Sequence, residues 1–160
     1  MKISEKNISV FKAPSDYYLV QCISADFVFN SGIRRDYSAR GVKKLLRRET
    51  EGLNCKLGCC IETPKYQYVM KGMNESHKGV FNLIIKENNI DIPMYRNLDE
   101  ALQDMYDIIN YKIESGEKVK IAMHRLGSGS DYLDWRVVRK TIEHIFKDLD
   151  VEVLVCNSFK

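Results

Sequence analysis

A short glycine-bearing loop, residues 125–131, carries the clearest chemical signal in this sequence. It follows an apolar run predicted to be a strand and precedes a predicted helix. Gly127 and Gly129 can adopt positive φ angles, which lets backbone N–H groups approach a ligand closely. A helix N-terminus adds unpaired donors and the positive end of a dipole, which together favour phosphate. The loop therefore predicts an anion site, although an ordinary turn in which Ser130 or Asp131 caps the helix explains the same residues.

The cysteines and histidines do not predict a metal site. Cys55, Cys59, Cys60 and His77 could be assembled into a zinc site, but their spacing lacks the paired Cys-x-x-Cys knuckle. The side chains of Cys59 and Cys60 would point to opposite faces of a strand. An odd total of five cysteines also argues against a disulfide framework. We therefore expect thiols that pack as small hydrophobic groups, and a protein without metal or cofactor.

The elements that position the loop follow from hydrophobic periodicity in the second half of the chain. Apolar runs at 80–85, 119–123 and 151–155 predict strands, and the segments between them predict helices. The first helix has Asn97 as its N-cap and Gly116 as its stop signal. Alternating strands and helices predict a parallel sheet covered on both faces. Ligands bind at the carboxyl ends of such strands, so the loops after Ile23, Ile85 and Met123 are the places to expect a site.

The first half of the chain is less regular. Strands are predicted at 8–11 and 17–23, followed by a helix over 33–49 in two pieces around Gly41, with its apolar stripe on Val42, Leu45 and Leu46. Two further strands, 58–62 and 66–70, with a turn at Pro64 and Lys65, would form an extra hairpin within 55–79. This hairpin would place Tyr66, Tyr68 and His77 at the rim of the ligand site expected at the carboxyl ends of the strands, or it would be an extension on the surface.

Length and charge restrict the class of protein. The chain has 160 residues and 18.6 kDa, which predicts one domain spanning 1–160. No apolar stretch approaches the roughly 18 residues that a membrane span needs. The first ten residues are polar, so no secretory signal is expected, and we predict a monomer in the cytoplasm, or in the nucleus of a eukaryote. A net charge of +3 is too small to indicate a nucleic-acid binder by itself.

Three segments together resemble a known family. The run MHRLGSGSDYLDW (123–135) looks like the phosphate loop of macro domains, specifically the branch of terminal ADP-ribose protein glycohydrolase and the DNA ADP-ribosylglycohydrolase antitoxins. QCISAD (21–26), with NSGI (30–33) and GVKKLL (41–46), resembles the first ligand loop and the following helix. LIIK (83–86) and YRNL (95–98) resemble the strand that ends in the functional lysine and the next helix.

The resemblance implies a three-layer α/β/α fold with a mixed central sheet that binds ADP-ribose or an ADP-ribosylated macromolecule. It implies that Lys86 engages the anomeric carbon of the distal ribose, while Asp131 acts as acid and base and resolves the adduct. A free lysine is a poor nucleophile near neutral pH until burial or nearby cations change its protonation. The ligand-binding positions that the resemblance implies are Cys22, Ile23, Ser24, Asp26, Ser31, Gly32, Ile33, Arg125, Leu126, Gly127, Ser128, Gly129 and Ser130.

Three activities fit this family: hydrolysis of mono-ADP-ribose from a protein carboxylate or a nucleobase, binding of ADP-ribose or a related nucleotide without catalysis, and removal of phosphate from ADP-ribose 1″-phosphate. The sequence departs from the family pattern at its first ligand loop, where Asn30 and Ser31 replace glycine-rich sequence. The usual Gly-Asp step, whose aspartate contacts adenine, is missing from residues 11–16, where only Asp16 could replace it.

Basic residues cluster between positions 34 and 48. Arg34 and Arg35 stand after Ile33, where the family has a small residue, and either bring charge to a phosphate or lie in solvent. Further along, helical spacing puts basic side chains broadly on one exposed side, which would contact nucleic-acid phosphates or form a solvated face: Arg40, Lys43, Lys44, Arg47 and Arg48. His124, just before the glycine loop, either reaches the pocket or is a structural histidine.

Overall fold

A computed structural model describes residues 1–29, 32–53, 55–64 and 77–158, with only the backbone of Ser130. Six strands lie within these residues: β1 (Lys2–Lys6), β2 (Tyr18–Ser24), β3 (Cys60–Pro64), β4 (Gly79–Lys86), β5 (Val119–Met123) and β6 (Val151–Cys156). The helices are α1 (Gly32–Ala39), α2 (Val42–Glu49), α3 (Tyr95–Glu114) and α4 (Trp135–Phe146), and two single 3₁₀ turns occupy Val10–Lys12 and Gly129–Asp131.

The strands form one mixed sheet in the order β1-β6-β5-β2-β4-β3. β3 pairs antiparallel with β4, and the other neighbouring strands are parallel. β2 therefore lies between β5 and β4, and the carboxyl ends of all three strands meet at one edge of the sheet. The register of β2 against β4 shifts between Ile23 and Ser24, so that Ser24 pairs with Lys86. This arrangement brings the ends predicted to carry ligand loops together.

Two hydrophobic cores, one on each face of the sheet, make the fold three-layered. Alternate residues of β2 divide between them, because successive side chains of a strand point to opposite faces. Val20 and Cys22 join the core formed with α3 and α4, whereas Leu19 and Ile23 join the core formed with α1 and α2. The predicted three-layer α/β/α fold with a mixed sheet is confirmed.

Several element predictions are confirmed by the structure. β5 has the predicted bounds, and the 33–49 helix is split at Gly41, whose φ of 86° interrupts the helical backbone. The predicted apolar stripe of α2 is buried on Val42, Leu45 and Leu46. Gly116 follows the end of α3 with a φ of 92°, so the predicted stop signal is confirmed.

Other predictions are wrong. Residues 8–11 do not form a strand, since β1 lies earlier in the chain and Val10–Lys12 is a 3₁₀ turn. β1 lacks a fully buried side chain, which is why its sequence gives little apolar signal. α3 begins two residues before Asn97, and Asn97 is buried inside the helix instead of capping it. The predicted strand 58–62 is displaced to Cys60–Pro64, and Pro64 pairs with Gly79 at the edge strand instead of forming a turn.

The predicted hairpin is only partly visible. Residues 65–76, which include Tyr66, Tyr68 and the predicted strand 66–70, lie outside the described residues. The described end of this region is anchored inside the protein, because the buried His77 shares a hydrogen bond of 2.8 Å between Nε2 and the carbonyl oxygen of Ala13. Within the described ranges, no helix has the length and apolar character needed to cross a membrane.

Candidate active site

A cavity of about 580 Å³ opens at the edge of the sheet where β2, β4 and β5 end. α1 forms one wall and the loop between β5 and α4 forms the opposite wall. The 3₁₀ turn near the N-terminus and the residues after β6 contribute the rim. The lining residues are Ser9, Phe11, Cys22, Gly32, Ile33, Arg34, Arg35, Asp36, Arg40, His124, Ser128, Gly129, Asp131 and Ser158.

Lys86 and Asp131 form a buried ion pair beside this cavity. The Nζ of Lys86 donates to Oδ1 of Asp131 at 2.8 Å, and both side chains are more than nine-tenths buried. Lys86 is the last residue of β4, and Asp131 is the last residue of the 3₁₀ turn in the glycine loop. The two residues meet because β4 and β5 both flank β2 in the sheet. The sequence-predicted pair is therefore brought into direct contact.

Arg34 is a second cation on the same carboxylate. Its Nη2 donates to Oδ2 of Asp131 at 2.6 Å, and its Nε donates to the carbonyl oxygen of Cys22 at 2.9 Å. Each oxygen of Asp131 thus faces one buried cation. A charge-assisted hydrogen bond of this kind is about twice as strong as a neutral one. The alternative in which Arg34 lies in solvent is therefore wrong, since only 7% of its side chain is exposed. The spacing of three residues between the buried Arg34 and the buried Tyr37 places both on one face of α1 and is the sequence signal for this burial.

His124 also lines the cavity. Of the two alternatives predicted from the sequence, a histidine that reaches the pocket is therefore the one observed. Burial, and then the nearby Arg34, lower its pKa from about 6.5 to about 4, so the ring is neutral near pH 7. Its Nδ1 is buried and makes no hydrogen bond within the described ranges. Cys22, which also lines the cavity, has a thiol whose pKa burial and the Asp131 carboxylate raise to about 12. Among the described residues, the buried charged side chains at this edge of the sheet are Arg34 and Asp131, which line the cavity, and Lys86, which lies beside it.

The glycine loop has two different glycines. Gly127 has a φ of 74°, and a Cβ at this position would lie 2.6 Å from the Leu133 side chain. Gly129 has a φ of 80°, is exposed, and has open space where a Cβ would lie. Gly127 therefore lets the loop pack on the protein, whereas Gly129 presents backbone to the cavity. α4 is capped by Asp134, whose side chain accepts from the backbone N–H of Arg136, so the alternative in which Ser130 or Asp131 caps this helix is wrong.

The structure distributes the predicted ligand-binding residues between the cavity and its support. Five of them line the cavity: Cys22, Gly32, Ile33, Ser128 and Gly129. Ser31 lies outside the described residues, and of Ser130 only the backbone is described. Six others do not line the cavity: Ile23, Ser24, Asp26, Arg125, Leu126 and Gly127.

Gly127 packs on Leu133, as described above, and the contacts of the other five residues explain why they do not line the cavity. Ile23 and Leu126 are fully buried in the two cores. Asp26 holds its own loop, because its carboxylate accepts from the hydroxyl of Ser24 and from the backbone N–H groups of Val28 and Asn89. Arg125 is exposed and pairs with Glu5 at 2.6 Å.

An aromatic and cationic stack forms part of the rim. The guanidinium carbon of Arg40 lies 3.6 Å from the ring centroid of Phe11, and Phe11 meets Tyr37 edge-on with ring centroids 4.8 Å apart. Such stacking over a ring face is favourable for arginine. Asp16, the residue that could replace the missing adenine contact, pairs with Lys120 at 3.1 Å and does not line the cavity.

The basic cluster divides between this cavity and the surface. Arg34 is buried inside the protein. Arg40 joins the rim of the cavity, because it precedes Gly41, where the chain turns from α1 into α2. Lys43, Lys44 and Arg47 line a separate cavity of about 440 Å³ on the outside of these helices. The expectation that the basic residues from Arg40 onward share one helix face is therefore wrong for Arg40.

Comparison of the chain with known protein families finds no family model that matches it. Comparison with curated proteins and solved structures finds relatives that agree with one another. The ADP-ribose glycohydrolase OARD1 of Bos taurus is 25% identical over 148 residues, which cover 91% of this chain and 85% of that protein. The macrodomain of Mycobacterium tuberculosis DarG superposes with a TM-score of 0.76 at 20% identity, with 97% of each chain covered. Thermosipho africanus DarTG, solved in complex with ADP-ribose, superposes with a TM-score of 0.75 at 13% identity over 96% of this chain and 41% of that longer chain. The resemblance predicted from the sequence is thus confirmed, and the chain has the fold of the macro domain family.

Proposed function

We propose that this protein is an ADP-ribosyl hydrolase, which releases mono-ADP-ribose from a protein carboxylate or a nucleobase. The observation that carries the proposal is the 2.8 Å contact between Lys86 Nζ and Asp131 Oδ1, buried beside a cavity large enough for a nucleotide-sized ligand. The relative OARD1 is an ADP-ribose glycohydrolase by name, and the DarTG relative was solved with ADP-ribose. Both facts support the same substrate class.

The pair has the parts that nucleophilic catalysis needs. A lysine attacks carbon only through its lone pair, so Nζ must first pass a proton to an adjacent base. Oδ1 of Asp131 already accepts a hydrogen bond from Nζ and is the base in reach. Because both groups are buried, bulk water does not compete for that proton. The geometry therefore supports Lys86 as nucleophile and Asp131 as acid and base.

The reaction then proceeds in two balanced steps. Nζ bonds to the anomeric carbon of the distal ribose, the bond to the leaving oxygen or nitrogen breaks, and the leaving group takes the proton held by Asp131. Water next attacks that carbon and gives a proton to Asp131, and the electron pair of the carbon–nitrogen bond returns to Lys86. One water is consumed, and ADP-ribose and the freed acid or base are released.

The test uses neutral replacements of similar size, Lys86→Met and Asp131→Asn, with the exposed Lys118→Met as the control. Release of ADP-ribose is measured on substrates with a glutamate ester, a modified nucleobase and a 1″-phosphate, and ADP-ribose binding is measured by calorimetry. We expect loss of turnover in Lys86→Met and a decrease of about 10²- to 10⁴-fold in Asp131→Asn, with binding kept in at least one variant. Full activity in either variant contradicts the mechanism.

The same measurements separate the other activities of the family. Tight binding of ADP-ribose by the wild type, without turnover of any linkage, would make the protein a binding module. Release of phosphate from the 1″-phosphate alone would make it a phosphatase. No binding of ADP-ribose would mean that the cavity serves another ligand.

For the macromolecular carrier we propose a nucleic acid. Arg35 and Arg40 line the mouth of the cavity, and Lys43, Lys44 and Arg47 line the neighbouring surface cavity. Lysine and arginine side chains that neutralise phosphates make binding salt-dependent, with a slope of about 0.7 per phosphate for a single strand. The double variant K44Q/R47Q should therefore lower the slope of log KM against log salt by about 1.4 on a modified oligonucleotide. An unchanged slope, or an equal change on a modified peptide, contradicts this choice of carrier.

A further inference from the structure

Arg34 is unusual because it places a guanidinium in the interior. Only 7% of its side chain is exposed, and arginine is almost never fully buried unless it is paired. Taking a charge out of water is costly, and replacing a buried ion pair by apolar residues is often neutral or stabilising, so a position that needed no charge would favour an apolar residue. The burial of Arg34 therefore points to a specific task for its charge and shape.

The contacts of Arg34 join the two walls of the cavity. Its Nε is anchored on the carbonyl oxygen of Cys22 at 2.9 Å, and Cys22 belongs to the central strand β2. Its Nη2 donates to Oδ2 of Asp131 at 2.6 Å. The guanidinium is planar and rigid, so these two bonds fix the position of Oδ2 relative to the sheet.

Asp131 needs such an external anchor. It sits at the end of a single 3₁₀ turn, with Gly129 before it at a φ of 80° and Tyr132 after it at a φ of 58°. This irregular loop leaves the direction of the carboxylate to its side-chain contacts. With Oδ2 held by Arg34, Oδ1 is the oxygen that remains for Lys86.

We propose that Arg34 is a positioning residue for the reaction: it holds the carboxylate of Asp131 in the orientation in which Oδ1 exchanges a proton with Lys86. The assignment rests on the proposed hydrolase function. Arg34 acts through Asp131, and two of its three guanidinium nitrogens are already committed to protein acceptors. Its loss is therefore expected to reduce the chemical step more than the binding of ADP-ribose.

The test compares Arg34→Met and Arg34→Lys with Arg96→Met, an exposed arginine of α3 outside the cavity. Single-turnover release of ADP-ribose gives the rate of the chemical step, calorimetry gives the Kd for ADP-ribose, and thermal unfolding reports folding. We expect Arg34→Met to lower the rate about 100-fold, as for a catalytic group displaced by about 1 Å, with the Kd changed less than about threefold. Arg96→Met should match the wild type in all three measurements.

Arg34→Lys keeps the charge but cannot make both bonds with one rigid group. We expect it to fold and to lose about tenfold in rate, the size of one charge-assisted hydrogen bond. This variant decides the question if Arg34→Met does not unfold cooperatively. A rate equal to the wild type in Arg34→Lys, or a loss of rate in Arg34→Met matched by an equal loss of affinity, overturns the assignment. Absence of turnover by the wild type itself contradicts the proposed function, and a positioning role in that reaction falls with it.

Discussion

Replacement of His124 by glutamine is predicted to make the protein more resistant to acid. The folded protein holds this ring neutral, with a pKa of about 4 caused first by burial and then by the charge of Arg34. An unfolded histidine has a pKa near ~6.5. As the pH falls below that value, the unfolded chain binds a proton that the folded chain does not, so stability decreases between about pH 6.5 and 4.

The magnitude follows from the difference between the two pKa values. Between the unfolded pKa and the folded pKa of His124, the loss of unfolding free energy adds up to about 3 kcal/mol. Glutamine is neutral at every pH, so His124→Gln should lose about 3 kcal/mol less than the wild type between pH 7.5 and 4. The comparison is made within each variant across pH, and the packing cost of the substitution therefore cancels.

The assay is urea unfolding at several pH values, with the exposed His144→Gln on α4 as the control. The control should follow the wild type, because its ring lies in solvent. His77, whose pKa burial also lowers, remains in all three proteins and contributes equally. If His124→Gln loses as much stability as the wild type between pH 7.5 and 4, the ring is not held neutral in the folded protein, and the effect assigned to its burial and to Arg34 is refuted.

Further predictions concern the loops that shape the site. Gly127→Ala should lower the free energy of unfolding by about 3 kcal/mol, because the positive φ and the contact with Leu133 both oppose a Cβ. Gly129→Ala should cost only about 1 kcal/mol, because the space for its Cβ is open. Equal losses of the two variants in urea unfolding would contradict this difference. Asp26→Ala should lower the free energy of unfolding by about 1 kcal/mol, because the carboxylate no longer accepts from the backbone N–H groups of Val28 and Asn89. The Kd for ADP-ribose should change little. A large loss of affinity at unchanged stability would instead make Asp26 a ligand contact.

Part of the local structure, and the position of the glycine loop, could be predicted from the sequence alone. The apolar run of β5 and the break at Gly41 needed only hydrophobic period and the conformational freedom of glycine. The resemblance to macro domains likewise rested on short local runs, above all residues 123–135. Where apolar side chains were few, as in β1, the sequence carried no such signal and the prediction misplaced the strand.

Which charges meet depends on the long-range order of the sheet. Lys86 and Asp131 are 45 residues apart and Arg34 and Asp131 are 97 residues apart, and no local pattern specifies such contacts. They form because the strand order places the ends of β4 and β5 on either side of β2, while α1 closes over them. From the sequence alone, an arginine is expected to lie in solvent, because its charge is costly to bury without a partner. The long-range order of the sheet supplies that partner, the buried carboxylate of Asp131, and so makes the interior favourable for Arg34.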